Sequence, residues 1–485
     1  MMVMMHKKAW RLLSITLSLT MIASLFAGCA KETGSNTKVT IEPMEVEEVY
    51  SQSYDIIGGK DVMPIAGYHG PYSASISYNG QQPVEYVSDE IFQALADCGV
   101  NLLTSSPDNY DRVPLSVIKQ LELGEKYGIG LFVTDESLTA TDKLGDNVAS
   151  IEEISQRLMK YSNYPAFAGL YLVDEPTSKD YLADVYGEER SLDKYAPLTK
   201  IVADELQVNT YANLLKVTGS GIKANYEKYI KEFCETMNPD FICFDYYIFD
   251  EPCVGTESLY LWNIAIVREY AQEYGIPFWN FIQAGGQWND AISRFDSGEL
   301  YPNEGEVDWA VNVNLAFGAK GICWFPLLQP LYFANAETEP FDFERNGLLG
   351  AWGNKTQWYY YAQAIHKHID VIDEVLMNST NKGILATGEQ SKKDAVDTRD
   401  ALLKGDSWRE LKSVDGDALI GCFNYQGKTA LYVVNYSQDY AQDITLHFQD
   451  SYKVKVVQKA ETSYVEGNSM TLQMTAGDGA LLVFE

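Results

Sequence analysis

Histidine and cysteine are scarce in this chain, which has five His and seven Cys in 485 residues. The His are scattered and His6 lies among the first ten residues. No HExxH or CxxC spacing occurs, so no metal and no other cofactor is expected. Cys98, Cys234, Cys243, Cys253, Cys323 and Cys422 follow no regular spacing and read as small core residues, not as a disulfide framework. No Gly-rich phosphate loop opens a helix, which argues against a dinucleotide-binding open sheet. Positive charge is also short, with 37 Lys and Arg against 68 Asp and Glu, a net charge of −31 and a pI near 4.5. That balance argues against nucleic acid as a partner, against electrostatic attachment to an anionic membrane, and against anionic polysaccharides as substrates. Beyond the amino terminus, no apolar run approaches the length of a membrane span.

The amino terminus is different. Lys7, Lys8 and Arg11 precede an apolar stretch from Leu12 to Ala27 that ends in Gly28-Cys29, the layout of an export signal. Leu25-Phe26-Ala27-Gly28-Cys29 resembles a bacterial lipobox, with Phe26 where Leu is usual. The expectation is a signal over 1–29, diacylglycerol on Cys29, and a polar tether over 30–56. The folded part would then be extracytoplasmic and lipid-anchored at the cell membrane.

From Val62 onward, short apolar runs alternate with segments whose apolar residues recur at helical spacing. The runs are 62–67, 101–105, 130–134, 169–173, 207–213, 241–244, 278–282 and 321–325. Several begin directly after a helix that ends at Gly, as in Cys98-Gly99-Val100 and Tyr274-Gly275-Ile276. Eight strand and helix alternations predict a (β/α)8 TIM barrel over 57–377, with a doubly wound open sheet as the competing layout. After the helical pattern from Gln357 to Leu376, short alternating strands separated by turn residues predict a small C-terminal antiparallel β-sandwich over 378–485. The charged stretch 391–407 reads as an irregular loop within it. Packing against the barrel is the expected role of this second domain.

The fourth run, 169–173, lies in the stretch Tyr164 to Pro176 and stops at Asp174-Glu175-Pro176. The carboxyl end of a buried parallel strand is where such a barrel places its chemistry, and Pro176 ends the strand where Glu175 emerges. The other strand ends add Tyr68 and His69, Asp135, Asn213, Asp245 with Tyr247, Gln283 and Trp324, and Trp288 sits on an adjoining loop. Carboxylates, amides and flat aromatic faces around one mouth suit a carbohydrate: sugar CH faces stack on rings while hydroxyls take polar partners. Asp135 reads as a substrate hydrogen-bond acceptor.

Asp174-Glu175-Pro176, Phe244-Asp245-Tyr246-Tyr247, Phe278 to Gln283, and Ala316 to Gly321 leading into Trp324 make residues 61–376 similar to glycoside hydrolase clan A barrels. The likeness is to proteins related to the family 42 β-galactosidases. The resemblance implies that Glu175 is the general acid/base, with Asp174 where Asn is expected. It also implies a nucleophilic carboxylate at the end of the seventh strand, and there this chain has Gln283. An amide cannot form a glycosyl ester. The second carboxylate would then be Asp245 by preference, or Glu304 or Glu306, or the barrel binds surface glycans without cutting them.

Overall fold

The computed structural model describes residues 62–68, 70–71, 84–105, 114–183, 187–218, 223–249, 253, 255–285, 302–329 and 347–485. The signal, Cys29 and the tether lie outside the described residues, as do His69 and Trp288.

Eight parallel strands close into a barrel: β1 (Ile65–Gly67), β2 (Leu102–Thr104), β3 (Gly130–Thr134), β4 (Phe167–Asp174), β5 (Thr210–Leu214), β6 (Ile242–Phe244), β7 (Phe278–Gln283) and β8 (Ile322–Phe325). Closure is direct, because Gly67 of β1 pairs with Trp324 of β8. The helices between and after them are α1 (Asp89–Cys98), α2 (Pro114–Tyr127), α3 (Ile151–Ser162), α4 (Leu192–Thr199), α5 (Lys223–Met237), α6 (Glu257–Tyr274), α7 (Glu304–Phe317) and α8 (Gln357–Met377). Gly275 shows how a helix hands over to a strand. Its φ of 68° takes the left-handed conformation that caps α6 and turns the chain into β7 within a few residues. Below the mouth the interior is filled by aromatic side chains, including Phe132, Tyr211, Phe241 and Trp279, the last two stacked at 3.9 Å between ring centroids. The barrel is therefore packed like a core, and ligands meet it at the carboxyl ends of the strands.

Strand β4 departs from simple alternation. Its register slips once against β3, between Leu131 and Phe132, and once against β5, between Tyr171 and Val173. At the first slip Gly169 has φ 153°, and a Cβ there would come within 2.3 Å of the Asn209 carbonyl oxygen. After the second slip, Leu172 and Val173 both pack outward with the helices, while Tyr171 faces the interior. Asp174, aligned with Asn213, then joins the interior-facing set.

After α8 the chain enters a seven-stranded antiparallel sheet. It comprises β9 (Ser379–Ala386), β10 (Leu411–Asp415), β11 (Ala418–Tyr425), β12 (Lys428–Asn435), β13 (Gln442–Gln458), β14 (Glu461–Met474) and β15 (Gly479–Phe484). Helix α9 (Glu389–Ala395) occupies part of the stretch expected to be irregular. The two layers of the sandwich come from one hydrogen-bonded sheet that doubles over at β13. The first half of that strand pairs with β10 and the second half with β15, with a register break between His447 and Tyr452. Alternation divides the two cores. Ala430, Tyr432 and Val434 of β12 pack toward the barrel helices, whereas Leu431 and Val433 pack into the sheet's own core. The join to the barrel is close: a Cβ on Gly421 would approach the Ala316 carbonyl oxygen of α7 to 2.2 Å. Tyr432 donates to Asn312 at 2.6 Å, and Asn312 donates to the Gly477 carbonyl at 2.9 Å.

An acid sits in this join. Burial, followed by the charges of Asp478 and Glu304, pushes the Asp308 carboxyl of α7 up to about 8, against the opposing pull of Lys459. The folded value exceeds the unfolded one, so ionisation destabilises the fold as pH rises from about 4 through about 8. Asp308→Asn should raise stability at pH 9 by about 2 kcal/mol and leave it nearly unchanged at pH 4. Urea midpoints at the two pH values measure this, and an equal gain at both would contradict it.

Candidate active site

Three acids and an amide meet at the carboxyl ends of β4, β5 and β6. Asp174 ends β4, Asn213 lies next to the end of β5, and Asp245 follows β6. The Asn213 amide bridges the two aspartates, with Nδ2 donating to Asp174 Oδ1 at 3.0 Å and to Asp245 Oδ2 at 3.1 Å. Glu175 follows directly with φ 49°, and its backbone N–H donates to the Asn213 carbonyl at 2.8 Å. A left-handed conformation at a non-glycine residue costs on the order of 1 kcal/mol or more, a strain typical of functional positions. This turn carries the Glu175 side chain close enough to Asp245 for each to shift the other's proton affinity. The chain beyond is anchored, because Tyr229 donates to the Pro176 carbonyl at 2.6 Å and Thr177 N–H donates to the Arg190 carbonyl at 3.0 Å.

All three carboxyls hold their protons more tightly than usual. Burial raises Asp245 well above the ordinary range, and the neighbouring charges of Glu175 and Asp174 add to it. Burial and then the Asp174 charge raise Glu175, partly offset by Asp245, Arg190 and Lys216. Asp174 is raised by burial against the hydrogen bonds of Asn213 and Tyr68 and the charge of Arg190. Neighbouring carboxyls cannot all ionise cheaply, so the charge of one strengthens the hold of another on its proton. The arrangement can donate a proton to a leaving oxygen and later take one from water.

The wall around the acids is aromatic. Tyr68 and Tyr171 join hydroxyls at 2.8 Å, and Tyr68 meets Phe281 edge-on with ring centroids 5.4 Å apart. Tyr247 lies 5.4 Å from Phe325 between centroids. Gln283 ends β7 on the interior face, with its Nε2 donating to the Gly285 carbonyl at 2.9 Å and its buried Oε1 unpartnered. Asn213 Oδ1 is likewise buried and unpartnered. Two such acceptors facing a cleft call for a donor, because leaving each unpaired costs about 1 to 3 kcal/mol.

Two residues expected at the mouth do other work. Asp135 does not present its carboxylate to a substrate. Both oxygens are engaged, by Arg157 at 2.6 and 3.0 Å, Tyr161 at 2.6 Å, and the backbone and hydroxyl of Ser137 at 3.0 and 2.7 Å. Burial raises its pKa, but those donors outweigh burial and hold it below the usual carboxylate range. Trp324 faces away from the cleft, fully buried against α8, with its indole N–H donating to His366 Nε2 at 2.7 Å. Strand alternation explains this, since Cys323 and Phe325 take the interior positions of β8. Glu304 and Glu306 lie in the first turn of α7, where Glu306 closes a capping box with Asn303. Tyr171, Lys216 and Phe325 belong to the site although the motifs did not single them out. Only the irregular register of β4 brings Tyr171 there, and Lys216 lies beyond the end of its strand. A groove of about 580 Å³ lined by Arg268, Gln272, Asn381 and Asp400 opens near the carboxyl end of α6, at the opposite face of the barrel.

The sequence matches no family model and no curated protein. Among solved structures, the chain is similar to a β-galactosidase from Bacillus circulans sp. alkalophilus, with a TM-score of 0.54 and 10% identity over 88% of this chain and 100% of that one. What the two share is the fold. A maltogenic α-amylase from Thermotoga neapolitana aligns over 88% of this chain and 99% of that one, at a TM-score of 0.46 and 11% identity. An isomaltulose synthase from Klebsiella sp. LX3 aligns over 88% of this chain and 99% of that one, at a TM-score of 0.46 and 9% identity.

Proposed function

We propose that this protein is a glycoside hydrolase acting on extracellular oligo- or polysaccharide, with Glu175 as general acid and Asp245 as its carboxyl partner. One observation carries the reading: Asp174, Glu175 and the buried Asp245 gather at the carboxyl end of a packed (β/α)8 barrel, the two aspartates tied by Asn213, in surroundings that raise the proton affinity of all three. Glycosidic oxygens are poor leaving groups and need that proton as the bond breaks. Tyr68 and Tyr247 give the cleft flat apolar faces for sugar rings, and Asn213 and Gln283 supply acceptors for hydroxyls. In this reading residues 57–377 carry the chemistry and 378–485 brace the barrel through α7 and α8. The first 29 residues direct export, Cys29 takes the lipid, and 30–56 hold the barrel off the membrane.

The test is incubation of the chain lacking residues 1–29 with a library of glycosides and glycans, with released sugars and their anomers followed by NMR. Hydrolysis that depends on Glu175 is the expected result. Retention of glycans without cleavage would favour a surface glycan-binding lipoprotein.

The acid's environment predicts a pH shift. Glu175 donates only while protonated, so turnover falls as pH rises through the value of the pair. The Asp174 charge is the second cause that raises Glu175, after burial. Asp174→Asn should therefore move the alkaline limb of the pH profile to lower pH, by about one unit. An unmoved limb with an intact fold would show that Asp174 does not act on the acid.

A further inference from the structure

At the opposite face of the barrel from the acids, a cation lies buried without an anion. Arg268 of α6 is 6% exposed, yet among the described residues no carboxylate oxygen comes within 4.0 Å of its guanidinium. The chain carries 68 Asp and Glu against 37 Lys and Arg, so a partner would have been easy to supply. Burial pulls Arg268 down to about 10, although the charges of Glu269 and Asp400 work to raise it. Glu269 is engaged by Arg399 at 3.2 Å. A buried guanidinium in this state is costly until an anion completes it.

The guanidinium is held with one edge free. Its Nε donates to Asn381 Oδ1 at 2.8 Å and its Nη2 to the Asn381 carbonyl at 3.4 Å, while Asn381 is fixed in turn by donating to the Ala316 carbonyl at 2.9 Å. Gln272 donates to the same Asn381 carbonyl at 3.1 Å. A planar guanidinium carries five N–H groups in a fixed fork, and these contacts use only the side formed by Nε and Nη2. The end-on pair, one N–H each from Nη1 and Nη2, has no partner among the described residues. Arg268 lines the groove of about 580 Å³ whose walls are one face of α6 and the start of β9, so that pair has space before it. Lys382 stands at the β9 wall, also without an ion pair among the described residues.

We infer that this groove binds a small molecule through a single carboxylate, whose two oxygens take the end-on N–H pair of Arg268. A carboxylate matches that fork with two parallel hydrogen bonds, as a single-atom anion cannot. Asp400 lines the same groove and is exposed, and its charge repels a doubly charged phosphate more than a singly charged carboxylate. The volume falls within the range of roughly 300 to 1,000 Å³ typical of small-molecule sites, more than a bare ion needs. Gln272 and Thr380 offer polar atoms to the hydroxyl or ammonium groups of the ligand's body. Because α6 belongs to the barrel and β9 to the sheet domain, the bound molecule bridges the two.

The experiment is isothermal titration calorimetry at fixed ionic strength, on the chain lacking residues 1–29 and its Arg268→Lys and Asp400→Asn variants. Sodium glucuronate and sodium glutamate are compared with glucose and inorganic phosphate. At least one of the carboxylates should bind one to one with a dissociation constant of about 1 mM or below, and glucose and phosphate about 10-fold more weakly. Arg268→Lys keeps the charge and loses the fork, so affinity should fall about 10-fold. Asp400→Asn removes a repelling charge from an exposed position and should tighten binding about 3-fold, a gain that damage to the fold cannot produce. Tighter binding of glucuronate assigns the ligand to sugar acids, and tighter binding of glutamate to amino acids. Binding of neither carboxylate, or equal binding of phosphate, overturns the inference. So does carboxylate binding unchanged in Arg268→Lys, or in Asp400→Asn where the first variant does not fold. None of these outcomes depends on glycoside cleavage, so the hydrolase reading stands or falls separately.

Discussion

Glu175→Gln should lower glycoside turnover by about 1,000-fold, because the amide keeps the shape of the acid and removes its proton. The side chain emerges from a strained turn beside Asp245, and an isosteric replacement leaves the local packing in place. Affinity for the substrate should change little, which separates loss of proton donation from loss of binding. The same variant should be more stable than the wild type. An acid whose folded pKa is raised stabilises least once ionised, so its cost grows as pH rises above the unfolded value near ~4.3. A neutral amide has no such cost, and at pH 8 the gain should be about 1 kcal/mol or more. Initial rates on a cleaved glycoside and urea midpoints at pH 5 and pH 8 read both effects. Wild-type turnover in the variant would remove Glu175 from the mechanism.

Asp135→Ala should cost about 3 kcal/mol in folding free energy, the largest loss expected from any single polar side chain of the barrel. Its side chain is 3% exposed, and it gathers donors from Arg157, Tyr161 and Ser137. Truncation strands a guanidinium and a buried phenol, and it removes the cap of the helical turn Glu136–Thr139. The half-exposed position of Arg157 lets water reach the cation, which holds the loss below that of a fully buried pair. Because the folded carboxylate binds protons more weakly than the unfolded one, its contribution is present above the unfolded pKa near ~3.9 and is lost as pH falls through the folded value. The stability gap between wild type and variant should therefore shrink toward pH 2. A gap below about 1 kcal/mol at pH 7 would mean that the network is an ornament of the surface of α3 and not a brace of the β3 end.

The eight barrel strands were readable because strands buried on both faces leave a plain mark, a short apolar run closed by a turn residue. The capped helices between them mark themselves by spacing. Strands β9 and β10 were not readable. Ser379–Ala386 opens with four polar residues directly after a long helix, and Leu411–Asp415 is an edge strand with only Leu411 in the core. The two runs on either side of Tyr452 look like separate strands in sequence, yet they form the single strand β13, because its pairing with β14 continues past the break.

Sequence by itself determined the barrel, the sheet domain that follows it, and the place of Asp174-Glu175 at the end of the fourth strand. Each depends on the local order of apolar, polar and turn residues, which the chain carries along its length. Tertiary structure alone decided which side chains face the cleft. Period-two alternation places Trp324 against α8, not over the cleft, while the two register slips of β4 bring both Tyr171 and Asp174 inward, which one unbroken alternation could not do. Asp135 reads as a free acid at a strand end until α3 brings Arg157 and Tyr161 against it, and Glu175 and Asp245, 70 residues apart in the chain, come to shift each other's proton affinity only when the barrel closes. Contacts between distant segments set these outcomes, and burial sets their proton affinities, so neither is written in any one stretch of the sequence.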